Sequence, residues 1–157
     1  MKIAVFAGTF DPVTSGHEEV IKTASALFDK LIVAICVNPD KKPLFPLETR
    51  LKALRAACEN FKNTEVLYHD GLLVDLMREK GAVYNVRGVR NDTDYVYENE
   101  MHFINERLYP EIVTIFFPCG EKFLKISSTA VRKRIESGES LKGYLSESVL
   151  KIIEKRT

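Results

Sequence analysis

The segment Gly8-Thr9-Phe10-Asp11-Pro12-Val13-Thr14-Ser15-Gly16-His17 crowds three hydroxyls and a carboxylate between two glycines, with a histidine directly after the second. It lies between an apolar run, Ile3 to Ala7, and a stretch in which Val20, Ile21, Ala24, Leu27 and Phe28 recur with the 3.6-residue period of a helix face. A strand therefore runs into a helix here. The start of a helix presents unpaired N–H groups and the positive end of its dipole, and both favour an anion. His17 adds a side-chain donor at that point. Two other phosphate loops are excluded, because the chain has no G-x-G-x-x-G opening a helix and no G-x-x-x-x-G-K-[ST]. A dehydrogenase or a P-loop ATPase is a poor fit.

Three further clusters carry polar chemistry. Lys41 and Lys42 follow a second apolar run in a loop stiffened by Pro39 and Pro43; on residue types alone they read as a solvated loop. Arg87-Gly88-Val89-Arg90 follows a fourth apolar run and is followed by Asp94 and Glu98. Two arginines flanking a glycine suit an anion fork as well as they suit surface ion pairs to Asp92, Asp94 or Glu98. Ser127, Ser128 and Thr129 open another helical stretch, where one serine serves as N-cap and three polar residues form a second anion site.

Elements must bring these clusters together. Strand-like runs occur at Ile3 to Ala7, Leu31 to Val37, Glu65 to Tyr68, Val83 to Val86 and Val113 to Phe117. Helical patterns separate them. The second helix carries Leu47, Leu51, Leu54, Cys58 and Phe61 with Pro46 in its first turn; the third runs from Leu72 to Lys80 and stops at Gly81. A fourth spans Asp94 to Leu108 before Pro110, a fifth leads from Ser127 to Gly138, and a sixth covers Ser146 to Lys155. Strict alternation without repeats or linkers predicts an α/β fold with a five-stranded parallel sheet flanked by helices. Ligands of such sheets bind beyond the carboxyl ends of the strands, near the switch in strand order. Every polar cluster named above falls there.

At 157 residues the chain suits one domain, residues 1–157. Its net charge of +1 supplies no global field for nucleic acid or anionic lipid, so no nucleic-acid or membrane partner is expected. The N-terminus enters a strand at once, leaving no room for a signal peptide, and a cytoplasmic location is expected. The three cysteines, Cys36, Cys58 and Cys119, are far apart, and no metal site is expected. Cys36 and Cys58 read as buried small hydrophobes, and Cys119 as a loop residue.

Thr14-Ser15-Gly16-His17 matches the T/H-x-G-H motif of the nucleotidyltransferase superfamily, and the longer string GTFDPVTSGH resembles bacterial phosphopantetheine adenylyltransferases. The resemblance continues through Lys41-Lys42-Pro43, Arg87-Gly88-Val89-Arg90 and Ile126-Ser127-Ser128-Thr129. It implies a single Rossmann-like nucleotidyltransferase domain that transfers the adenylyl group of ATP to 4'-phosphopantetheine, giving dephospho-CoA and pyrophosphate in coenzyme A biosynthesis. By resemblance His17, Thr9, Lys41 and Arg90 are catalytic. Nucleotide binding falls to Thr9, Phe10, His17, Gly88, Val89, Arg90, Glu98, Phe123, Leu124, Lys125, Ile126, Ser127, Ser128 and Thr129. Thr9, Lys41, Leu73 and Arg87 bind the acceptor, although Leu73 reads equally as core. The resemblance further implies Mg²⁺ accompanying ATP, a homohexamer, and coenzyme A as feedback inhibitor. Val96 and Lys125 depart from the family's usual residues at their positions. Transfer to a different phosphorylated acceptor, or nucleotide binding without catalysis, are the alternatives.

Overall fold

The computed structural model describes residues 1–155, so the last two residues of the expected 1–157 domain lie outside the described residues. The elements alternate as β1 (Ile3–Gly8), α1 (Ser15–Leu27), β2 (Lys30–Cys36), α2 (Leu47–Cys58), β3 (Thr64–His69), α3 (Leu73–Lys80), β4 (Tyr84–Val89), α4 (Asp92–Leu108), β5 (Val113–Pro118), α5 (Ser128–Ser137) and α6 (Glu147–Glu154). A 3₁₀ turn at Glu121–Phe123 precedes α5. The five strands form one parallel sheet in the order β3-β2-β1-β4-β5. The order reverses between β1 and β4, which makes that pair the topological switch.

The period-2 pattern of the central strands sorts their side chains onto two faces. Ala4 and Phe6 of β1, with Leu31, Val33 and Ile35 of β2, pack with Ile21 and Ala24 of α1, Leu54 of α2, Val131 of α5 and Val149 of α6. Val5, Ala7, Ile32 and Ala34 face the other way onto Val74, Leu76 and Met77 of α3 and onto Tyr109 and Ile112. Burying each large apolar side chain stabilises by about 1.5–3 kcal/mol, and the central strands are apolar on both faces for that reason. Among the described residues no helix is long and apolar enough to cross a membrane.

Two boundaries differ from the sequence reading in ways that matter to the site. β4 runs three residues past Val86, so Arg87, Gly88 and Val89 lie within the strand, paired with Phe116, Phe117 and Pro118 of β5. Pairing with β5 holds polar and glycine residues in a ladder that composition alone would end. Pro46 is the residue before α2, its N-cap, rather than part of the first turn. Cys36 is half-buried at the end of β2 while Cys58 is buried, and burial pushes their thiols up to about 11 and about 12.

Candidate active site

β1 and β4 pair only at Ala4–Tyr84 and Val5–Asn85, although β1 stays registered with β2 as far as Gly8 and β4 with β5 as far as Val89. The sheet parts at its switch point. A cleft of about 740 Å³ opens there, within the usual size of small-molecule sites. Arg87 reaches across the parting, where its Nη1 donates to the Ala7 carbonyl that β4 leaves unpaired. The side chain thus replaces a backbone ladder bond at the place where the strands separate.

The turn after β1 forms one wall. Phe10 sits at φ +46°, in the left-handed region that non-glycine residues rarely adopt, and its buried ring packs edge-on against Phe6 and His17 at centroid distances of 5.3 and 5.0 Å. Thr14 is the N-cap of α1 and His17 occupies the third helical position. The Thr14 hydroxyl accepts from the His17 N–H at 3.4 Å, and His17 Nδ1 accepts from the Thr14 N–H at 3.0 Å. A histidine here completes the reciprocal cap that glutamate usually makes. Burial first, then the positive fields of Arg87 and Arg90, pushes the imidazole down from 6.5 to about 4. The ring is neutral near pH 7, and with Nδ1 accepting, its proton rests on Nε2. His17 is therefore an uncharged donor lining the cleft.

The opposite wall is β4 and α4. The Arg87 guanidinium is gripped by the Glu98 carboxylate through Nε–Oε2 at 2.8 Å and Nη2–Oε1 at 2.7 Å. Arg90 pairs with Asp94, one helical turn earlier, at 2.9 Å. The two readings of these arginines hold together, since each makes an ion pair and each lines the cleft. Gly88 explains the close approach of β4 to α1, because a Cβ there would meet Val20 Cγ2 at 2.9 Å.

The start of α5 closes the cleft from a third side. Ser127 is the N-cap, its Oγ accepting from the Ala130 N–H at 3.0 Å, whereas Ser128 Oγ donates to the Pro12 carbonyl at 2.8 Å. The two serines do different work: one caps the start of the helix, the other ties it to the turn after β1. Arg132, which the sequence reading passed over, donates to the Asp11 carbonyl at 2.8 Å and to Thr129 Oγ1 at 3.1 Å. Its position one turn after Thr129 was the available signal. Asp94 and Asp11 also line the cleft.

The structure brings Thr9, Phe10, His17, Lys41, Arg87, Gly88, Val89, Arg90, Glu98, Phe123, Ile126, Ser127, Ser128 and Thr129 around this one cleft. Leu73, Leu124 and Lys125 do not line it. Leu73 begins α3 and packs against the core beneath it, the alternative its sequence context allowed. Leu124 and Lys125 follow the 3₁₀ turn and are exposed, while Phe123 before them is buried. Cys119 lines the cleft too, with its thiol raised chiefly by burial. Among the described residues no group of three or more His, Cys, Asp and Glu is arranged to hold a metal ion.

The family model described as cytidylyltransferase-like matches residues 5–134. The chain is similar to phosphopantetheine adenylyltransferase of Streptococcus uberis, 42% identical over 98% of this chain and 93% of that one. It is 38% identical to the protein of that name from Clostridium tetani, over 100% of this chain and 98% of the other. A crystal structure from Vibrio parahaemolyticus, assigned as a nicotinate-nucleotide adenylyltransferase, superposes with a TM-score of 0.74 at 19% identity, covering 99% and 93% of the two chains. That last likeness speaks to the fold alone.

Proposed function

The chain belongs to the cytidylyltransferase-like family, among the phosphopantetheine adenylyltransferases, and from that membership we propose that it transfers the adenylyl group of ATP to 4'-phosphopantetheine. The observation that carries the reading is the parting of β1 from β4, with His17, Thr9, Lys41, Arg87 and Arg90 around one cleft. A phosphate oxygen of the acceptor attacks the α-phosphorus of ATP; the new P–O bond forms as the α–β bridging bond breaks, and pyrophosphate leaves. The attacking phosphate is already ionised, so no general base is required. The protein's work is positioning and stabilising charge.

In this reading His17 Nε2–H donates to the α-phosphate oxygens as they gain charge. Its neutrality suits the task, since a fixed donor acts without a proton changing place. Thr9 and Lys41 hold the attacking phosphate, the ammonium offsetting repulsion between two phosphoryl groups. Arg90 and the Ser127–Thr129 helix start hold the β- and γ-phosphates, and the dipole of α5 adds to them. Arg87 serves the acceptor, with Glu98 fixing its guanidinium. Magnesium enters as part of the Mg-ATP substrate, bound through phosphate oxygens and water. The same reading carries a homohexamer, restraint by coenzyme A at the shared cleft, and a cytoplasmic location.

The test is pyrophosphate release from Mg-ATP with 4'-phosphopantetheine supplied or withheld, beside nicotinamide mononucleotide and glycerol 3-phosphate. Release only with 4'-phosphopantetheine is expected. Release with a rival alone overturns the acceptor, and ATP binding without any release overturns the enzyme.

A further inference from the structure

Lys41 has a role in the proposed chemistry only if its loop is held at a set distance from Thr9. The loop between β2 and α2 is exposed from Lys41 to Lys42, and a local turn in which the Lys41 N–H donates to the Asn38 carbonyl at 3.0 Å shapes its tip. Its far end, three and four residues after Lys41, is fastened by two buried charged side chains. The Asp11 carboxylate accepts from the Leu44 N–H at 2.8 Å through Oδ2 and from the Phe45 N–H at 2.9 Å through Oδ1. Arg50, in the first turn of α2, donates from Nε to the Phe45 carbonyl at 3.0 Å and from Nη1 to the Thr9 carbonyl at 2.9 Å. Phe45 is thereby held at both backbone ends, and its ring is in the core.

Asp11 is 3% exposed and Arg50 8%, and charges are buried at a cost unless their hydrogen bonds are satisfied. Arg50 is satisfied by backbone of the two loops that carry the phosphate-facing residues, and Asp11 by backbone of the β2–α2 loop together with the Arg132 guanidinium 3.6 Å away. A planar guanidinium fixes the spacing of the two carbonyls it bridges, which a flexible ammonium does not.

We propose that Arg50 and Asp11 form a buried clamp that sets the separation of Lys41 from Thr9, making both of them positioning residues for the acceptor phosphate. This rests on the function proposed above. Asp11 also faces α5, where Arg132 stands 3.6 Å from its carboxylate and donates to its carbonyl. Arg50, among the described residues, bonds only the Phe45 and Thr9 carbonyls, so the loss of Arg50 is the change that acts through Lys41 and falls on the acceptor.

The experiment is a double-mutant cycle of Arg50→Lys with Lys41→Ala, read as kcat/KM for 4'-phosphopantetheine and KM for ATP, with thermal melting to confirm folding. Arg50→Lys is expected to lower kcat/KM for the acceptor about tenfold or more in the otherwise native enzyme, and to change KM for ATP by less than about twofold. In the Lys41→Ala background the same substitution should cost less than about twofold, because the group it positions is gone. Arg50→Gln, which can reach one of the two carbonyls and not both, should repeat the pattern and serves if Arg50→Lys does not fold. Equal losses for both substrates, or full additivity with Lys41→Ala, overturn the clamp. The native enzyme in the same assay separates the cases: if it fails to use 4'-phosphopantetheine the proposed function falls, and if it succeeds while the cycle is additive only the clamp falls.

Discussion

An imidazole whose Nδ1 is committed to the amide of its own N-cap has one proton and one direction in which to offer it. Replacing His17 with alanine is expected to lower turnover roughly 10²-fold or more in a protein that still folds, since one such transition-state donor is worth about 3 kcal/mol. Steady-state kinetics with both substrates measure this. The pH dependence follows from the depressed imidazole, at about 4 in the folded chain against 6.5 unfolded. Between those values the unfolded chain binds a proton that the folded chain refuses. His17's contribution to stability is thus complete above about 6.5, declines as pH falls toward 4, and declines no further below it. Denaturant titrations of the native protein and His17→Ala across that range should show the native protein losing more stability on acidification. The residue scale was also where the sequence was most legible: the ten residues from Gly8 to His17 mark, without a structure, the turn that forms one wall of the cleft. What they do not reveal is the tautomer, because it depends on a hydrogen bond that exists only once Thr14 caps α1.

At the scale of elements, the 3.6-residue period gave the helices within a residue or two except at the end of α2, where the expected stripe ran on to Phe61, three residues past Cys58, and the short apolar runs gave the strands. The end of β4 escaped, since Arg87, Gly88 and Val89 look like a loop until β5 lies beside them. The same strand yields a test. Gly88→Ala places a methyl 2.9 Å from Val20 Cγ2 on α1, so the Val20 side chain or one of the two elements must shift. Overpacking of this kind costs roughly 1–3 kcal/mol, and the part of it taken up by β4 displaces Arg87 and Arg90 together. A lowered melting temperature with weakened binding of both substrates is expected, measured by thermal unfolding and calorimetric titration. The Asp11, Phe45 and Arg50 ties were illegible for a different reason. They join residues 34 and 41 positions apart, and no local pattern marks such pairs.

For the whole molecule, α4 stands out as a helix of 17 residues with none buried, carrying Val96, Tyr97, Phe103, Ile104 and Leu108 exposed. Contiguous exposed apolar surface of this kind suits contact between copies. In the proposed hexamer this face is covered, and Phe103→Glu is expected to shift the light-scattering mass from hexamer to smaller species. A hexamer retained by that variant places the contact elsewhere. The parting of the sheet has a consequence of the same reach. Between β1 and β4 the sheet is sewn by two residue pairs, leaving β3-β2-β1 and β4-β5 as two leaves of a book with a loose spine. A nucleotide gripped by the β1 turn on one leaf and by Arg90 on the other would act as a rivet through both pages. Filling the cleft and stiffening the fold would then be one event, coupled by mass action.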